Sequence, residues 1–574
     1  MKMQARALFD PVTNDRYDAW LLIGSIAACA AVLAVKFWLI WRIDINWDEF
    51  YFLSHVYALV RGELIDVFQV THAHLFRWLT VVPGDEMIQI VVARCVMFGL
   101  LIATAVLIWA LARRWAATQA AVLAPLCYLA TTAVSKHGGS FRTDSMVAPL
   151  SLAVLLLMTD RSRGRRALLA AAACFGISVA ITLKALLLAP VLVAIAWLDD
   201  PQPQEDWAKR SRRAVMRLLE FGLVAACVGG AILAIHWLVL TQAVDHGPGE
   251  YAVAVMRKSL LDVELIPQRS TFEALFRQNL LSWLLILGGA VVALLRRRYV
   301  PLAFGLSLLP ILFYRNTFSY YYLVMLAPAS ALAALAAAQL RSSLGDLFGR
   351  VTAGRILLVI ASALVLQAAI HLFALREDHQ VPQRAVISAV HRVFPSPVPY
   401  VDHSGMIASF RKVNFFMSTW GIQAYRARGR SFMREAIDRY RPPLLLANRA
   451  ILDPDSESFR SLLPEDRRLI ETSYVRHWGP IWIAGTEALM TGDRAVAMRV
   501  PFPGRYRLQT NQAVVIDGTL YHDRQEVDLT QGEGEVLVHP TQGASAEAKV
   551  RLIWAAAKSP PSWPPPSMPL YTGL

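Results

Sequence analysis

Eleven apolar runs, at roughly 19–41, 90–112, 118–135, 145–159, 167–182, 185–198, 216–240, 279–295, 301–315, 320–340 and 356–375, fill the chain up to residue 375. Such runs leave few folds open. Inside hydrocarbon every backbone N–H and C=O must be satisfied within the protein, so each run is expected to form a membrane-spanning helix. Several are shorter than the ~20 residues a span needs, and their ends are set only to within a few residues. Composition agrees, with 56% of the residues hydrophobic and 17% charged, where soluble domains carry about a quarter charged. Ala19 to Trp41 lacks a small-residue cleavage site and is read as a span, not a removed leader.

The net charge of +14 does not point to nucleic acid. When the runs are threaded alternately, Lys2, Arg6 and Arg16 share one side with Arg113-Arg114 and with DRSRGRR (160–166). KRSRR (209–213), RRR (296–298) and the Arg341, Arg350 and Arg355 loop fall there too. By the positive-inside rule that side is cytoplasmic. The opposite side receives loops 42–89, 136–144 and 241–278, and everything after 376. Cys29, Cys95, Cys127, Cys174 and Cys227 all lie in apolar runs, where cysteine acts as a small hydrophobe. They offer no disulfide framework. There is no GxGxxG, no GxxxxGK[ST] and no zinc-ligand spacing.

After 376 the character changes. PVPYVDHS (397–404), PPLLLANRA (442–450) and GPIWIAG (479–485) read as buried strands between helical pieces such as 424–440. RYRLQT, AVVIDGTLY, EVDLT, EVLVHP and KVRLIWAA are short alternating runs with Asp-Gly and Gly-rich turns. The expected fold class is mainly α: a polytopic membrane helix bundle with a C-terminal outer α/β plus β-sandwich region. The expected domains are a transmembrane module over 1–375 with its long first outer loop 42–89, a mixed α/β domain over 376–494, and a small β-sandwich over 495–574. PPSWPPPSMP (560–569) is expected to be extended and poorly ordered.

On the outer side, IDINWDEF (43–50) follows the first run directly. Acids beside hydrocarbon are costly unless they have a task. Asp48 and Glu49 are either helix-end acids facing water or a partly desolvated carboxylate pair. Such a pair can take a proton from a hydroxyl or hold a divalent cation. Asp44 is expected to be a solvated loop acid. YFLSHVYALV (51–60) has helical apolar spacing and is expected to lie along the membrane. In HGGSFRTDSMVAP (137–149), either Thr143 or Asp144 caps a helix while Arg142 snorkels, or Asp144 is a second site carboxylate and Arg142 an anion ligand.

Lys184, within GISVAITLKALLLAP, reaches either the interface or an anion, whereas Lys36 has only the interface to reach. Arg315 and Tyr320 to Tyr322 form either an aromatic belt or a set of donors to a phosphate or sugar. His55, His72, His74 and Arg77 lie in the first outer loop. An i, i+2 histidine pair at His72 and His74 is weak evidence for metal. Carboxylates, a lysine and arginines collected on one face suggest a site for a phosphorylated, hydroxyl-rich substrate at the outer leaflet.

The order of these motifs resembles a known family. WDEFYFLSHVYALVRGEL resembles the acidic first-loop motif of the C-type membrane glycosyltransferases, in particular the protein O-mannosyltransferase and lipid A aminoarabinose transferase branch. VVARCVMFGLLIATAVLIWALARRWA resembles the second span of that branch. FRTDSMVAPLSLAVLLL resembles its arginine-x-aspartate helix start. GISVAITLKALLLAP resembles its span ending in Leu-Thr-Lys-Gly-Pro, with alanine in place of that glycine. FYRNTFSYYYLVMLAP resembles its basic-then-tyrosine loop. The resemblance covers roughly residues 15–340. VTHAHLF stands where the branch carries a lysine-proline-proline stretch, which leaves His72, His74 or Arg77 to replace that lysine.

The resemblance implies transfer of a sugar from a polyprenyl-phosphate donor to an acceptor hydroxyl, with inversion. It implies Asp48 as general base, Glu49 as its support and Asp144 as a second acid near the acceptor or a metal. It implies Lys184, Arg142 and Arg315 as ligands of the donor phosphate, with Tyr320 and Tyr321 lining that pocket. His55, His72, His74 and Arg77 are the remaining candidates for substrate contact. The cofactor is left unknown, with a divalent cation at Asp48 or Asp144 allowed. The implied partners are a polyprenyl-phosphate-linked sugar, membrane lipid and a glycan or lipid acceptor. The implied place is a bacterial inner membrane, with the N-terminus cytoplasmic and the C-terminal domain periplasmic. The rival readings are a transporter or flippase for a lipid-linked sugar, and a non-catalytic glycan-binding membrane protein.

Overall fold

A computed structural model of the chain describes residues 16–66, 68–160, 162–198, 206–240, 265–491, 494–529, 535–541 and 547–571. These residues group into two compact units. The first lies within Met1–Ile43, Leu59–Leu79 and Val91–Asp378, and the second within Asp44–Ala58, Thr80–Ile90 and His379–Leu574.

The first unit is helical, and each of the eleven apolar runs falls on helix. Among the described residues six helices are long and apolar enough to cross a membrane: Ala19–Leu39, Glu86–Ala112, Gly164–Ile181, Trp207–Val239, Ser319–Phe348 and Arg350–Ala374. The pair Arg269–Gln278 and Leu280–Leu295, bent by 93°, supplies a seventh if it is taken as one span. Thr118–Leu129, Thr143–Met158, Leu183–Leu198 and Tyr299–Phe313 are shorter, at 10–17 residues. They rise roughly 15–26 Å, less than the ~30 Å of a hydrocarbon core. Proline explains part of this shortening, because it lacks the N–H that continues a helix. Pro310 starts a new four-residue helix and leaves 299–313 in three short pieces.

The Tyr322–Phe348 helix is buried at every residue from Tyr322 to Ala337. A helix apolar all round belongs in the middle of a bundle. Close approach there needs glycine. At Gly289 a Cβ would collide with the carbonyl of Leu332 on the central helix. Gly176 and Gly229 likewise let Gly164–Ile181 and Trp207–Val239 cross backbone to backbone, as small residues do in membrane helix pairs. Lys36 departs from its expected place at the interface. It is buried, and its Nζ donates to Ser135 Oγ at 2.9 Å.

The second unit is built on twelve strands. β1 (Pro399–Val401), β2 (Arg411–Lys412), β3 (Leu444–Leu446), β4 (Tyr474–Trp478) and β5 (Ile481–Thr491) come first. β6 (Val496–Arg499), β7 (Gly504–Thr510), β8 (Val514–Ile516), β9 (Thr519–Tyr521), β10 (Glu526–Leu529), β11 (Glu535–Pro540) and β12 (Glu547–Trp554) follow. One eight-stranded sheet has the order β10-β7-β12-β5-β3-β1-β2, with β4 also paired to β5. A four-stranded sheet has the order β6-β11-β8-β9. The long strand β5 carries the larger sheet from the mixed region into the all-β region. β1 pairs in parallel with both β2 and β3, and the remaining pairs are antiparallel. Two apolar cores fill the unit, one around Tyr425, Phe432, Leu445 and Trp482, the other around Met490, Tyr506, Val538 and Leu552.

Three expectations are corrected here. The Trp47–Val60 helix buries Phe50, Leu53 and Val56, and its rings meet those of the C-terminal residues. Tyr51 stacks on Phe416 at 4.0 Å, and Phe50 lies 6.4 Å from Tyr571. Its apolar face is thus engaged by protein, not laid along a membrane. Gln383 pins the preceding turn, accepting from Ile45 N at 2.9 Å and donating to Ile45 O at 2.8 Å. Asp44, expected in water, is buried there. The proline-rich tail is extended but packed. Trp478 Nε1 donates to Trp563 O at 3.0 Å, and Leu570 and Tyr571 are buried.

Candidate active site

In the second unit, the acidic motif opens the Trp47–Val60 helix. Asn46 Oδ1 accepts from the Asp48 N–H at 2.9 Å, while Glu49 Oε2 accepts from the Asn46 N–H at 3.0 Å. This is a capping box in its Asn-x-x-Glu form, which satisfies two orphan donors of the first turn. Glu49 is fully buried in this task, and Asp48 is left half-buried beside it. The motif therefore separates into one acid that holds the helix and one held by it. His55, two turns on, is buried against the Tyr51 ring at 4.2 Å. Burial pulls its imidazole down to about 3, so it is neutral.

In the first unit, a cation group forms where two helices begin and end. Arg142 stands before the Thr143–Met158 helix, and no side chain caps that helix start. Asp144, in the first turn, pairs instead with Arg142 Nε at 3.5 Å and with Lys184 Nζ at 3.4 Å. Lys184 gets there because the Gly164–Ile181 helix stops at an extended Thr182, after which a tight helical turn begins. Tyr320 closes the group, with the Arg142 guanidinium 3.7 Å and Lys184 Nζ 4.9 Å from its ring centre. Tyr321 Oη donates to the Lys184 carbonyl at 3.2 Å. Arg142 and Asp144 are buried, and the Lys184 side chain is 18% exposed. Two cations share one carboxylate. Charge in so apolar a place is costly unless an anion meets it.

The other candidates lie elsewhere. The Arg315 carbonyl accepts from Gln268 Nε2 at 3.1 Å. His72 is buried beside Phe141, and Arg77 is exposed. His74 Nε2 lies 2.7 Å from His236 Nδ1, and His236 Nε2 is 3.1 Å from the Asp66 carbonyl. The i, i+2 pair therefore splits, one ring into the core and one onto His236. Among the described residues no three histidine, cysteine, aspartate or glutamate side chains gather as a metal-holding group.

Sequence reasoning missed three polar contacts. His137 meets Ser319 Oγ at 2.9 Å behind Tyr320. Its only signal was its place next to FRTD. Glu86 binds His391 Nε2 at 2.9 Å and the Ser409 N–H at 3.1 Å. Asp402 accepts from Gly405 N and Met406 N, both at 2.7 Å, and from Asn448 Nδ2 at 3.1 Å. VDHS at a strand end and NRA at another carried the hint, but not the pairing.

Comparison with solved structures bears on the fold. Over 70% of this chain and 88% of the other, the structure matches ArnT from Cupriavidus metallidurans bound to undecaprenyl phosphate, with TM-score 0.52 and 15% identity. The chain shares the fold of that ArnT structure. Weaker matches are the Archaeoglobus fulgidus oligosaccharyltransferase in complex with Zn and sulfate and the arabinosyltransferase EmbB from Mycobacterium smegmatis. The first has TM-score 0.46 and 13% identity over 79% of this chain and 72% of that one. The second has TM-score 0.41 and 10% identity over 92% and 63%. No family model and no curated protein sequence matches the chain. The fold drawn from five short motifs is thus met in three dimensions, at an identity where sequence comparison alone finds nothing.

Proposed function

We propose that the chain is a glycosyltransferase that moves a sugar from a polyprenyl-phosphate donor to an acceptor hydroxyl, with inversion at the anomeric carbon. The observation that carries the reading is the cation group itself, Arg142 and Lys184 brought together on Asp144 and the Tyr320 ring. Two cations held side by side suit a donor phosphate. The bond to phosphate needs no acid to break, because phosphate already leaves readily. Arg142 and Lys184 stabilise the charge that grows on its oxygens.

Asp48 takes the acceptor proton. The acceptor oxygen bonds to the anomeric carbon as the carbon–phosphate oxygen bond breaks, and polyprenyl phosphate departs with that electron pair. Glu49 acts through the helix cap that sets the first turn. Asp48 and Asp144 are the carboxylates to which a divalent cation would be assigned, and no step depends on one. The setting proposed is a bacterial inner membrane, N-terminus in the cytoplasm and C-terminal residues in the periplasm. The acceptor class proposed is an envelope glycan or lipopolysaccharide.

The test uses purified protein in lipid nanodiscs with an undecaprenyl-phosphate-linked sugar and an envelope glycolipid fraction, read by mass spectrometry. The expected result is an acceptor heavier by one sugar and free undecaprenyl phosphate. Translocation of intact donor without cleavage would instead establish the flippase reading and end this one.

A further inference from the structure

The strand order around β1 has a consequence of its own. From β1 the chain moves to β2 on one side and then returns to β3 on the other, all three parallel. The order 2-1-3 makes a switch point between β1 and β3. In open parallel sheets ligands bind in the crevice outside the carboxyl ends of the strands at such a point. Here the residues that leave β1 are Asp402, His403 and Ser404, and those that leave β3 are Asn448 and Arg449.

The crevice is built. Asn448 Oδ1 accepts from the His403 N–H at 3.1 Å, its Nδ2 donates to Asp402 at 3.1 Å, and Tyr571 Oη lies 3.3 Å away. Burial pushes the Asp402 carboxyl up, opposed by the Lys412 charge and by the backbone N–H groups it accepts. Lys412 thus answers the charge of Asp402. Nothing answers Arg449. Among the described residues its guanidinium has no hydrogen-bond or ion-pair partner, and it rests half-buried on the Trp47 ring at 4.3 Å. His403 is 3% exposed, its ring lies 5.2 Å from that of Trp47, and its buried Nδ1 has no partner. Burial, with Arg449 and Lys412, holds this imidazole down at about 3, so it is neutral. A planar cation held ready on an aromatic face, beside an unpaired ring nitrogen, fits a phosphate or carboxylate on a sugar.

We propose that the crevice at the carboxyl ends of β1 and β3 binds the acceptor through an anionic group on a sugar ring, with Arg449 as the recognition residue. Trp47 holds the guanidinium, and Asp48 follows it in the chain, so the helix that supports recognition also carries the proposed base. This rests on the glycosyl-transfer reading for its purpose, but not for its measurement.

The experiment is titration calorimetry of the full-length protein in detergent with glucose 6-phosphate, glucuronate and glucose, with undecaprenyl phosphate as a control. The wild type is expected to prefer either or both anionic sugars over glucose by at least about tenfold, the scale of one charged hydrogen bond. R449Q should erase that preference and keep undecaprenyl phosphate binding within about twofold. If R449Q loses undecaprenyl phosphate binding as well, R449K decides. It keeps the charge without the planar fork, and unchanged anionic-sugar binding there overturns the proposal. No anionic preference in the wild type, or one that survives in R449Q, also overturns it. Which anionic sugar binds tells phosphate from carboxylate. Anionic-sugar binding in a protein that never cleaves donor would defeat the transfer reading and leave the subsite standing.

Discussion

Glu49 Oε2 accepts the backbone N–H of Asn46 at 3.0 Å, across the first turn of the helix that carries Asp48. The two adjacent acids thus differ in kind. Glu49 is fully buried and accepts a backbone N–H of its own helix start. E49A removes the acceptor of the part-buried Asn46 N–H, at a cost of about 1 kcal/mol, and frees the turn that orients Asp48. Catalysis is expected to fall about tenfold or more in kcat with little change in donor binding. E49Q keeps an oxygen acceptor and should recover most of the rate. Equal rates for E49A and wild type would show that the cap does not orient the base.

The shared carboxylate of Asp144 makes a second prediction. D144A takes from Arg142 and Lys184 the carboxylate they share, and breaking a buried pair in this way typically costs about 3–5 kcal/mol. The melting temperature should fall. Undecaprenyl phosphate should then raise it by more in D144A than in wild type, because the phosphate takes the place of the carboxylate. K184M should show the reverse, with weak undecaprenyl phosphate binding and a small thermal response. The check is a thermal shift series with and without the lipid. An equal shift in all three proteins would remove the phosphate from this group.

His391 gives a pH dependence. Burial lowers its imidazole, but the Glu86 carboxylate raises it more, by hydrogen bond and by charge, so the net shift is upward. A histidine raised in the folded state contributes stability that is complete below its unfolded value near 6.5, and that is lost as pH rises through the folded value. The second unit should therefore melt lower as pH climbs from about 6 toward 8. H391Q should flatten that slope. A steeper fall on the acid side of 6 in wild type, absent in H391Q, would reverse the assigned sign.

The tail offers a structural test. Gln383 Nε2 donates to Leu570 O at 3.0 Å, and Ser404 Oγ and Tyr571 Oη are 3.1 Å apart. Truncation after residue 559 strips Trp563, Leu570 and Tyr571 from these places. Limited proteolysis should show the truncated second unit cleaved many times faster than the full chain. Unchanged protection would return the tail to the poorly ordered segment that its composition suggests.

Much of this was legible in the sequence because hydrophobic periodicity is local. The eleven helical runs, the strands at 444–446 and 481–491, and the Asp517-Gly518 hairpin turn with its positive φ values all follow from neighbours in the chain. Arg142, Asp144, Lys184 and Tyr320 were each ambiguous alone, since capping and snorkelling were equally available. The meeting of the Arg142–Asp144 pair with Lys184, 40 residues from Asp144, and with Tyr320 is a tertiary fact. The capping box was written in NWDE but read as chemistry, because an acid beside a membrane draws that reading first. The crevice was out of reach. β2 is two residues long, and a parallel order through so short a strand leaves no periodicity to see. The burial of Lys36 and Asp44 likewise depends on what packs over them.

The most direct measurement is sugar transfer by purified Asp48→Asn protein, taken beside its binding of undecaprenyl phosphate. Loss of a general base is expected to lower the rate by roughly 10²–10⁴-fold, with lipid binding and melting temperature near wild type. Transfer at the wild-type rate by a folded, lipid-binding Asp48→Asn protein would contradict the assignment at its centre.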